Sequence, residues 1–221
     1  MSRNHDSNIS NKSDDALNHK FYKLKIILIG DSGVGKTSLL CRFLDKNFSI
    51  NQPCTVNADF KIKTLNIDSS TSAELIIWDT CGQEKYRSLT KQFYKDAHGI
   101  ILMFDVCDKR SFENLNKWLE EIPKNNVNEN FSVVLCGNKI DLNRNVSYEE
   151  ASIFAKNKDM SYCETSSKNG INIDVAFEKV TKDIIEKIKR KNKFEEEIRD
   201  NTSLNTSTKG VRGVKGDMKC C

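Results

Sequence analysis

The stretch LKIILIGDSGVGKT at residues 24–37 decides the fold. Its apolar first half predicts a buried strand, and its second half matches G-x-x-x-x-G-K-[ST], a loop whose backbone N–H groups surround phosphates. Glycine lets the backbone approach an anion closely, and the N-terminus of the following helix attracts negative charge. The sequence therefore predicts a nucleotide phosphate site built from Ser32, Gly33, Val34, Gly35, Lys36, Thr37 and Ser38.

Short apolar runs alternate with helical patterns beyond this stretch. Strand-like runs lie at 58–67, 74–80, 99–106, 131–137 and 160–166, while Phe112, Leu115, Leu119 and Ile122 recur at helical spacing, as do Phe177, Val180, Ile184 and Ile188. This alternation predicts an α/β domain with a parallel sheet covered on both faces. Ligands of such sheets bind beyond the carboxyl ends of the strands, where the polar motifs of this chain fall.

Composition suggests three segments. Residues 1–20 are polar and predict a disordered N-terminal extension, residues 21–192 the folded domain, and residues 193–221 a flexible tail. The net charge of +4 does not indicate nucleic-acid binding, and no apolar run reaches the ~18 residues of a membrane span. Secretion is not expected, because the N-terminus has no apolar signal segment. The dispersed cysteines Cys41, Cys54, Cys81, Cys107, Cys136 and Cys163 are interpreted as small hydrophobic residues in a reducing compartment.

Two further motifs narrow the ligand, which the phosphate loop alone leaves open among ATPases, kinases and GTPases. Asp79 ends the run LIIWD, and a buried acid there needs a cation, which Mg²⁺ can supply through a water; a surface turn is the alternative. Lys36 would reach the β- and γ-phosphates and the Thr37 hydroxyl would ligate the metal. Asn138, Lys139 and Asp141 follow the run at 131–137. The Asp141 carboxylate can accept from the N1–H and 2-amino groups of guanine, which adenine lacks, so the interpretation is a guanine site.

At this point the chain resembles the Ras superfamily of small GTPases, and within it the Rab family. The matching stretches are GDSGVGKT, WDTCGQE, GNKID and ETSSK, with YRSLT, FYKDA and LMFDV resembling segments typical of Rabs. The resemblance implies the small G-protein form of the phosphate-loop fold, with three layers, a six-stranded mostly parallel sheet, one antiparallel edge strand and about five helices. The stretches FKIKTLNID and SFENLNKWLEEI are most similar to the Rab subfamily numbered eighteen.

The resemblance also assigns residues. It implies that Thr55 binds Mg²⁺ and senses the γ-phosphate, that Phe48 packs edge-on against guanine (the alternative is a core aromatic), and that Lys139 lies along the guanine face. Gln83, after Gly82, would orient the attacking water, so that Gln83, Lys36 and Thr55 form the catalytic set. The loop with Ser166, Ser167 and Lys168 would meet the guanine oxygen through backbone amides.

A slow GTPase switch of vesicle traffic is the function that the resemblance implies. Its expected partners are an exchange factor, an activating protein, a GDP-dissociation inhibitor, a prenylation escort protein and GTP-dependent effectors. It would lie on the cytoplasmic face of endoplasmic reticulum, Golgi or vesicle membranes, with a cytosolic pool. The alternatives are a GTP-locked scaffold that does not hydrolyse, and a phosphate-loop ATPase.

Three features bear on membrane anchoring and on departures from the family. Cys220 and Cys221 resemble the terminal pair of many Rabs, which implies two geranylgeranyl groups and stable anchoring; a disulfide or metal half-site is the alternative. Asn57 stands where Rabs usually have glycine. Cys81 stands where alanine is usual, as a harmless small residue or a redox-sensitive thiol.

Overall fold

The computed structural model describes residues 19–45, 55, 59–80, 93–125 and 131–207, with backbone alone at 123–125 and 200–207. Six strands and five helices have bounds within these ranges. The strands are β1 (Lys20–Ile29), β2 (Asp59–Asp68), β3 (Thr71–Asp79), β4 (Gly99–Asp105), β5 (Ser132–Asn138) and β6 (Ser161–Glu164). The helices are α1 (Lys36–Asp45), α2 (Lys109–Glu113), α3 (Leu115–Asn125), α4 (Tyr148–Asn157) and α5 (Ile173–Ser207).

The strands form one sheet in the order β2-β3-β1-β4-β5-β6. β2 pairs antiparallel with β3 at one edge, and every other pairing is parallel. The register pairs Leu28 with Asp79 and Asp105 with Asn138, so the carboxyl ends of these strands share one edge of the sheet. The predicted fold class, a mostly parallel six-stranded sheet with one antiparallel edge strand, is confirmed.

Helices cover both faces because the side chains of a strand alternate between them. One face carries a core in which Ile27 of β1 and Phe104 of β4 pack with Phe112 of α2 and Trp118 of α3. On the other face α5 approaches β4 so closely that a Cβ at Gly99 would lie 2.6 Å from Ile184 Cδ1. Burial of these large apolar side chains on two faces holds the carboxyl edge of the sheet rigid.

Two element boundaries differ from the predicted runs. β1 begins at Lys20, the last residue assigned to the N-terminal extension, because its first residues pair with β3 from Thr71 onward. The helical spacing from Phe112 to Ile122 is divided between α2 and α3, with Asn114 capping α2. Residues 1–18 of the predicted extension lie outside the described ranges.

By internal contacts the chain divides into two compact units, Met1–Ile184 and Ile185–Cys221. In the second unit, described as far as Ser207, the helix is largely exposed and carries ion pairs at i, i+4 spacing, Glu186 with Arg190 and Lys193 with Glu197. Helical structure thus continues into residues 193–207 of the predicted tail, and the domain bounds stay a prediction. None of the helices in the described ranges combines the length and apolar composition that crossing a bilayer requires.

Candidate nucleotide site

The phosphate loop leaves the sheet at the end of β1 and enters α1 at Lys36. Its three glycines, Gly30, Gly33 and Gly35, have φ of 140°, 81° and 101°. Residues other than glycine disfavour these backbone angles. A Cβ at Gly35 would lie 2.3 Å from Asn138 Nδ2, whereas a Cβ at Gly33 would have no atom of the described residues within 4 Å. The loop is therefore packed against β5 at Gly35, and the described residues leave space at Gly33.

Lys36 begins α1, and its side chain folds back across the loop. Nζ donates to the Gly30 carbonyl at 2.9 Å and to the Asp31 carbonyl at 2.8 Å, and the residue is 6% exposed. These carbonyls solvate a buried ammonium and fix its position beside the N-terminus of α1. The arrangement concentrates positive potential where phosphates are predicted.

Thr37, Thr55 and Asp79 converge beside the phosphate loop. Thr37 Oγ1 donates to Asp79 Oδ2 at 2.6 Å, Thr55 Oγ1 lies 2.8 Å from Thr37 Oγ1, and Thr55 Oγ1 donates to Asp79 Oδ2 at 3.3 Å. The structure thus brings together the three residues that the sequence assigned to the metal.

The surroundings of Asp79 fit a cation. Its Oδ1 is buried and has no hydrogen-bond partner among the described residues. Burial raises the pKa of the carboxyl, although hydrogen bonds from Thr37 and Thr55 partly offset this. Two hydroxyls and a carboxylate are oxygen ligands of the kind that Mg²⁺ accepts. Among the described residues there is no cluster of three or more His, Cys, Asp or Glu that could hold a metal ion.

Asn138 ends β5 and connects the loops around the site. Its Nδ2 donates to the Val34 carbonyl at 2.9 Å, and its Oδ1 accepts from Thr165 Oγ1 at 3.1 Å and from the Ser167 backbone N–H at 3.2 Å. Asn138 is 1% exposed, and the geometry satisfies both ends of its amide. Its role is to hold the phosphate loop and the 165–168 loop together.

Lys139 and Asp141 follow on the surface side of Asn138. Lys139 has φ of 69°, and its Nζ lies 2.6 Å from Asp105 Oδ2 at the end of β4. Asp141 Oδ1 accepts from Ser166 Oγ, which in turn accepts from the Asn169 backbone N–H at 3.0 Å. The Asp141 carboxylate is therefore oriented by a loop on the neighbouring strand β6, at the edge where guanine is predicted.

Two groups of residues near the site were missed by sequence reasoning. Arg42 of α1 donates from Nε to the Ser167 carbonyl at 3.0 Å and from its terminal nitrogen to the Lys168 carbonyl, so α1 holds the 166–168 loop. Phe60, Trp78 and Phe93 form a surface cluster with ring centroids 5.1 and 4.9 Å apart. The apolar alternation of Phe60 with Ile62 would place both on a buried face, but the structure leaves both exposed. No spacing in the sequence indicates the Arg42 contacts.

The remaining site residues divide by placement. Ser32 and Lys168 are exposed, Val34 is buried and Ser38 lies half-buried in the first turn of α1. Predictions for Phe48, Asn57, Cys81, Gly82, Gln83, Cys220 and Cys221 lie outside the described residues. Among the described cysteines, Cys41 and Cys107 are half-buried, and Cys136 and Cys163 are buried.

Known proteins resemble this chain over the same region. The model of the Ras family matches residues 25–186. The chain is 45% identical over 170 residues to the Ras-related protein Rab-1 of Theileria parva, covering 76% of each protein. It is 43% identical over 169 residues to RABD2a of Arabidopsis thaliana (76% of this chain, 82% of that protein) and 41% over 204 residues to RIC1 of Oryza sativa subsp. japonica (90% and 96%). None of these three names carries the subfamily number eighteen, and that assignment stays a prediction.

Proposed function

Because this chain belongs to the Ras family and is a Rab-type small GTPase, we propose that it is a two-state switch of vesicle traffic, on with GTP and off with GDP. The guanine base would be read by Asp141, with Lys139 along its face and Phe48 at its edge. The phosphates would lie in the loop of residues 32–38, and Mg²⁺ would be held by Thr37, by Thr55 and, through a water, by Asp79. Bound Mg²⁺ supplies positive charge to the phosphates.

The contact of Thr55 with Thr37 and Asp79 is the observation that supports a switch best. Thr55 belongs to the chain between α1 and β2, whereas Thr37 and Asp79 sit on the rigid loop and strand end. A residue that shares one oxygen cluster with the phosphate loop can be retained when a γ-phosphate is present and released when it is absent. Gln83 would orient the water, and Lys36 would hold the phosphate oxygens during hydrolysis.

The aromatic cluster Phe60–Trp78–Phe93 supports a docking surface for GTP-dependent effectors. Phe60 is 46% exposed, and Trp78 directly precedes Asp79. Exposed aromatic side chains supply large contact areas at protein interfaces. The position beside the proposed metal ligands links this surface to the state of the nucleotide. An exchange factor, an activating protein, a GDP-dissociation inhibitor and a prenylation escort protein are the other partners proposed.

Geranylgeranyl groups on Cys220 and Cys221 would anchor the GTP form on the cytoplasmic face of intracellular membranes, with a cytosolic pool of the GDP form. Two chains suffice for stable anchoring, whereas one does not. The compartments proposed are the endoplasmic reticulum, the Golgi and vesicles.

Competition of GDP, GTP, ADP and ATP for the nucleotide-stripped protein with Mg²⁺ tests the proposal. Guanine nucleotides should win by orders of magnitude, because adenine does not offer the Asp141 carboxylate the two adjacent donors of guanine. Equal competition by ATP would refute the guanine assignment. Single-turnover hydrolysis of bound GTP then separates the switch from the GTP-locked scaffold, since a scaffold would return GTP unchanged with and without an activating protein.

A further inference from the structure

An acid at the second position of the phosphate loop, Asp31, stands where anions are to be bound. Its carboxylate accepts hydrogen bonds from two donors outside the loop. Oδ1 accepts from Trp118 Nε1 at 2.8 Å, and Oδ2 accepts from Asn114 Nδ2 at 2.7 Å. The Asp31 carbonyl meanwhile accepts from Lys36 Nζ at 2.8 Å. One residue thus connects the helices α2 and α3 to the lysine of the phosphate site.

Both donors are rigidly placed. Asn114 caps α2 through its backbone N–H, and Trp118 follows one helical turn later, so the two side chains share a face. The Trp118 ring is fully buried in the core with Phe112 and Leu115. Indole has a single N–H, so a fixed ring directs its donor along one line, and that line meets Asp31.

We propose that Asn114 and Trp118 are positioning residues for guanine nucleotide binding, which act by tethering the phosphate loop through the Asp31 carboxylate. The tether holds the Asp31 carbonyl, and with it Lys36 Nζ, in the binding arrangement before the nucleotide arrives. Preorganisation of this kind lowers the ordering cost of binding and slows ligand release. The inference rests on the proposed function of the same site.

Asp31 could act through its negative charge or as a double hydrogen-bond acceptor, and these two roles predict opposite effects of Asp31→Asn on GDP release. If the carboxylate matters as a negative charge near phosphates, its removal should slow GDP release. If it matters as a double acceptor, the new amide NH₂ faces a donor, and GDP release should be faster. Asn114→Asp opposes two carboxylates and should also speed release. The double variant Asp31→Asn/Asn114→Asp again pairs a donor with an acceptor at both contacts and conserves net charge.

Release of a fluorescent GDP analogue into excess GDP measures the effect in the full-length protein. We expect Asp31→Asn, Asn114→Asp and Trp118→Phe each to release it about tenfold faster or more, since each loses a hydrogen bond to or from a charged group. The double variant should return to within about threefold of the wild-type rate, given the limits of additivity between contacting residues. The control Ser147→Ala loses the side-chain hydrogen bond to the Glu150 backbone N–H at the start of α4, and should release GDP at the wild-type rate.

Single variants with wild-type rates, slower release from Asp31→Asn, or a double variant at the product of the two single effects would each overturn the tether. Thermal unfolding of each nucleotide-free variant is measured alongside its GDP release rate, to detect a general loss of stability. Faster release in Ser147→Ala to the same extent would also overturn it, because general loss of stability would then be the cause. A wild-type protein that does not bind the GDP analogue would instead refute the proposed function.

Discussion

The Asn138 side chain donates a 2.9 Å hydrogen bond to the backbone carbonyl of Val34, a residue 104 positions earlier in the chain. Both residues are buried, at 1% exposure each. Because the Asn138 oxygen also accepts from Thr165 and Ser167, one amide joins the phosphate loop to the loop beside the base. The two ends of a nucleotide would therefore be bound by loops that cannot shift independently.

Gly35→Ala should disrupt this junction. Its Cβ would lie 2.3 Å from Asn138 Nδ2, and alanine is also strained at φ of 101°. We expect nucleotide affinity to fall by 100-fold or more, on the order of the 2–3 kcal/mol that a lost buried contact and strain together cost. Calorimetric titration of GDP with Mg²⁺ measures it.

Gly33→Ala is the matched control, because Gly33 has a similar positive φ of 81° but no atom of the described part of the chain within 4 Å of its Cβ. In the nucleotide-free protein it should cost only the backbone strain of about 1–2 kcal/mol in urea unfolding. If Gly35→Ala lowers the free energy of unfolding no more than Gly33→Ala does, a Cβ at Gly35 does not clash with Asn138.

Arg42→Lys should speed nucleotide release although it keeps the charge. The guanidinium contacts two successive carbonyls, those of Ser167 and Lys168, and an ammonium cannot reproduce that fork. We expect about tenfold faster GDP release, corresponding to one lost charged hydrogen bond. Stopped-flow release of a fluorescent GDP measures the rate. The exposed basic residue Arg190 pairs with Glu186, and Arg190→Lys serves as the control. Equal rates in the two variants would contradict a role of Arg42 in holding the loop.

Asp79→Asn should stabilise the metal-free protein while weakening its response to Mg²⁺. The Asp79 carboxylate is buried, and one of its oxygens has no hydrogen-bond partner in the described ranges. Burial also raises its pKa, so the charged form is costly without a cation. We expect the free energy of unfolding of nucleotide-free protein in EDTA to rise by about 1–3 kcal/mol. GDP release from the variant should no longer slow when Mg²⁺ is added. A variant less stable than wild type in EDTA would show that the buried carboxylate is not chiefly destabilising in the absence of a cation.

Asp141→Asn should change the preferred base. The carboxylate accepts from the two adjacent donors of guanine, whereas an amide offers one acceptor and one donor. Xanthine has an oxygen in place of the 2-amino group and matches the amide. We expect GDP affinity to fall by about 10³-fold or more and xanthosine diphosphate to bind more tightly than GDP. Competition binding checks both. An unchanged preference for guanine would show that Asp141 does not contact the base edge.

Acid should destabilise the protein through His98. Its Nδ1 accepts from the Lys25 backbone N–H at 3.1 Å, and burial lowers its pKa despite the opposing charge of Asp96. A histidine with a lowered folded pKa contributes stability above its ordinary pKa of about 6.5, and this stability is lost as pH falls below that value. His98→Asn keeps an acceptor but does not titrate.

Urea unfolding between pH 7.5 and pH 5 of wild type and His98→Asn measures this contribution. The slope of the unfolding free energy against pH should be smaller in the variant. Parallel curves would exclude His98 as the titrating group.

Several features of the site were predictable because they depend on local sequence. A strand followed by G-x-x-x-x-G-K-T fixes the loop and the start of α1 at Lys36. Asp79 and Asn138 could be placed beside it because the carboxyl ends of parallel strands meet at one edge of the sheet. Thr55 was assigned by resemblance, and the structure brings it to Thr37 and Asp79.

The contacts that hold the site together were decided by tertiary structure alone. Asp31 and Trp118 lie 87 positions apart, and Arg42 and Ser167 lie 125 apart. The helical spacing of Phe112, Leu115, Leu119 and Ile122 predicts an apolar helix face, but it does not state where the indole N–H of Trp118 points. That direction follows from how α3 packs on the sheet and how far the phosphate loop turns back at its glycines. The sequence by itself therefore determined the fold and the principal ligand-binding positions, whereas the side-chain contacts that link distant loops depended on packing and register.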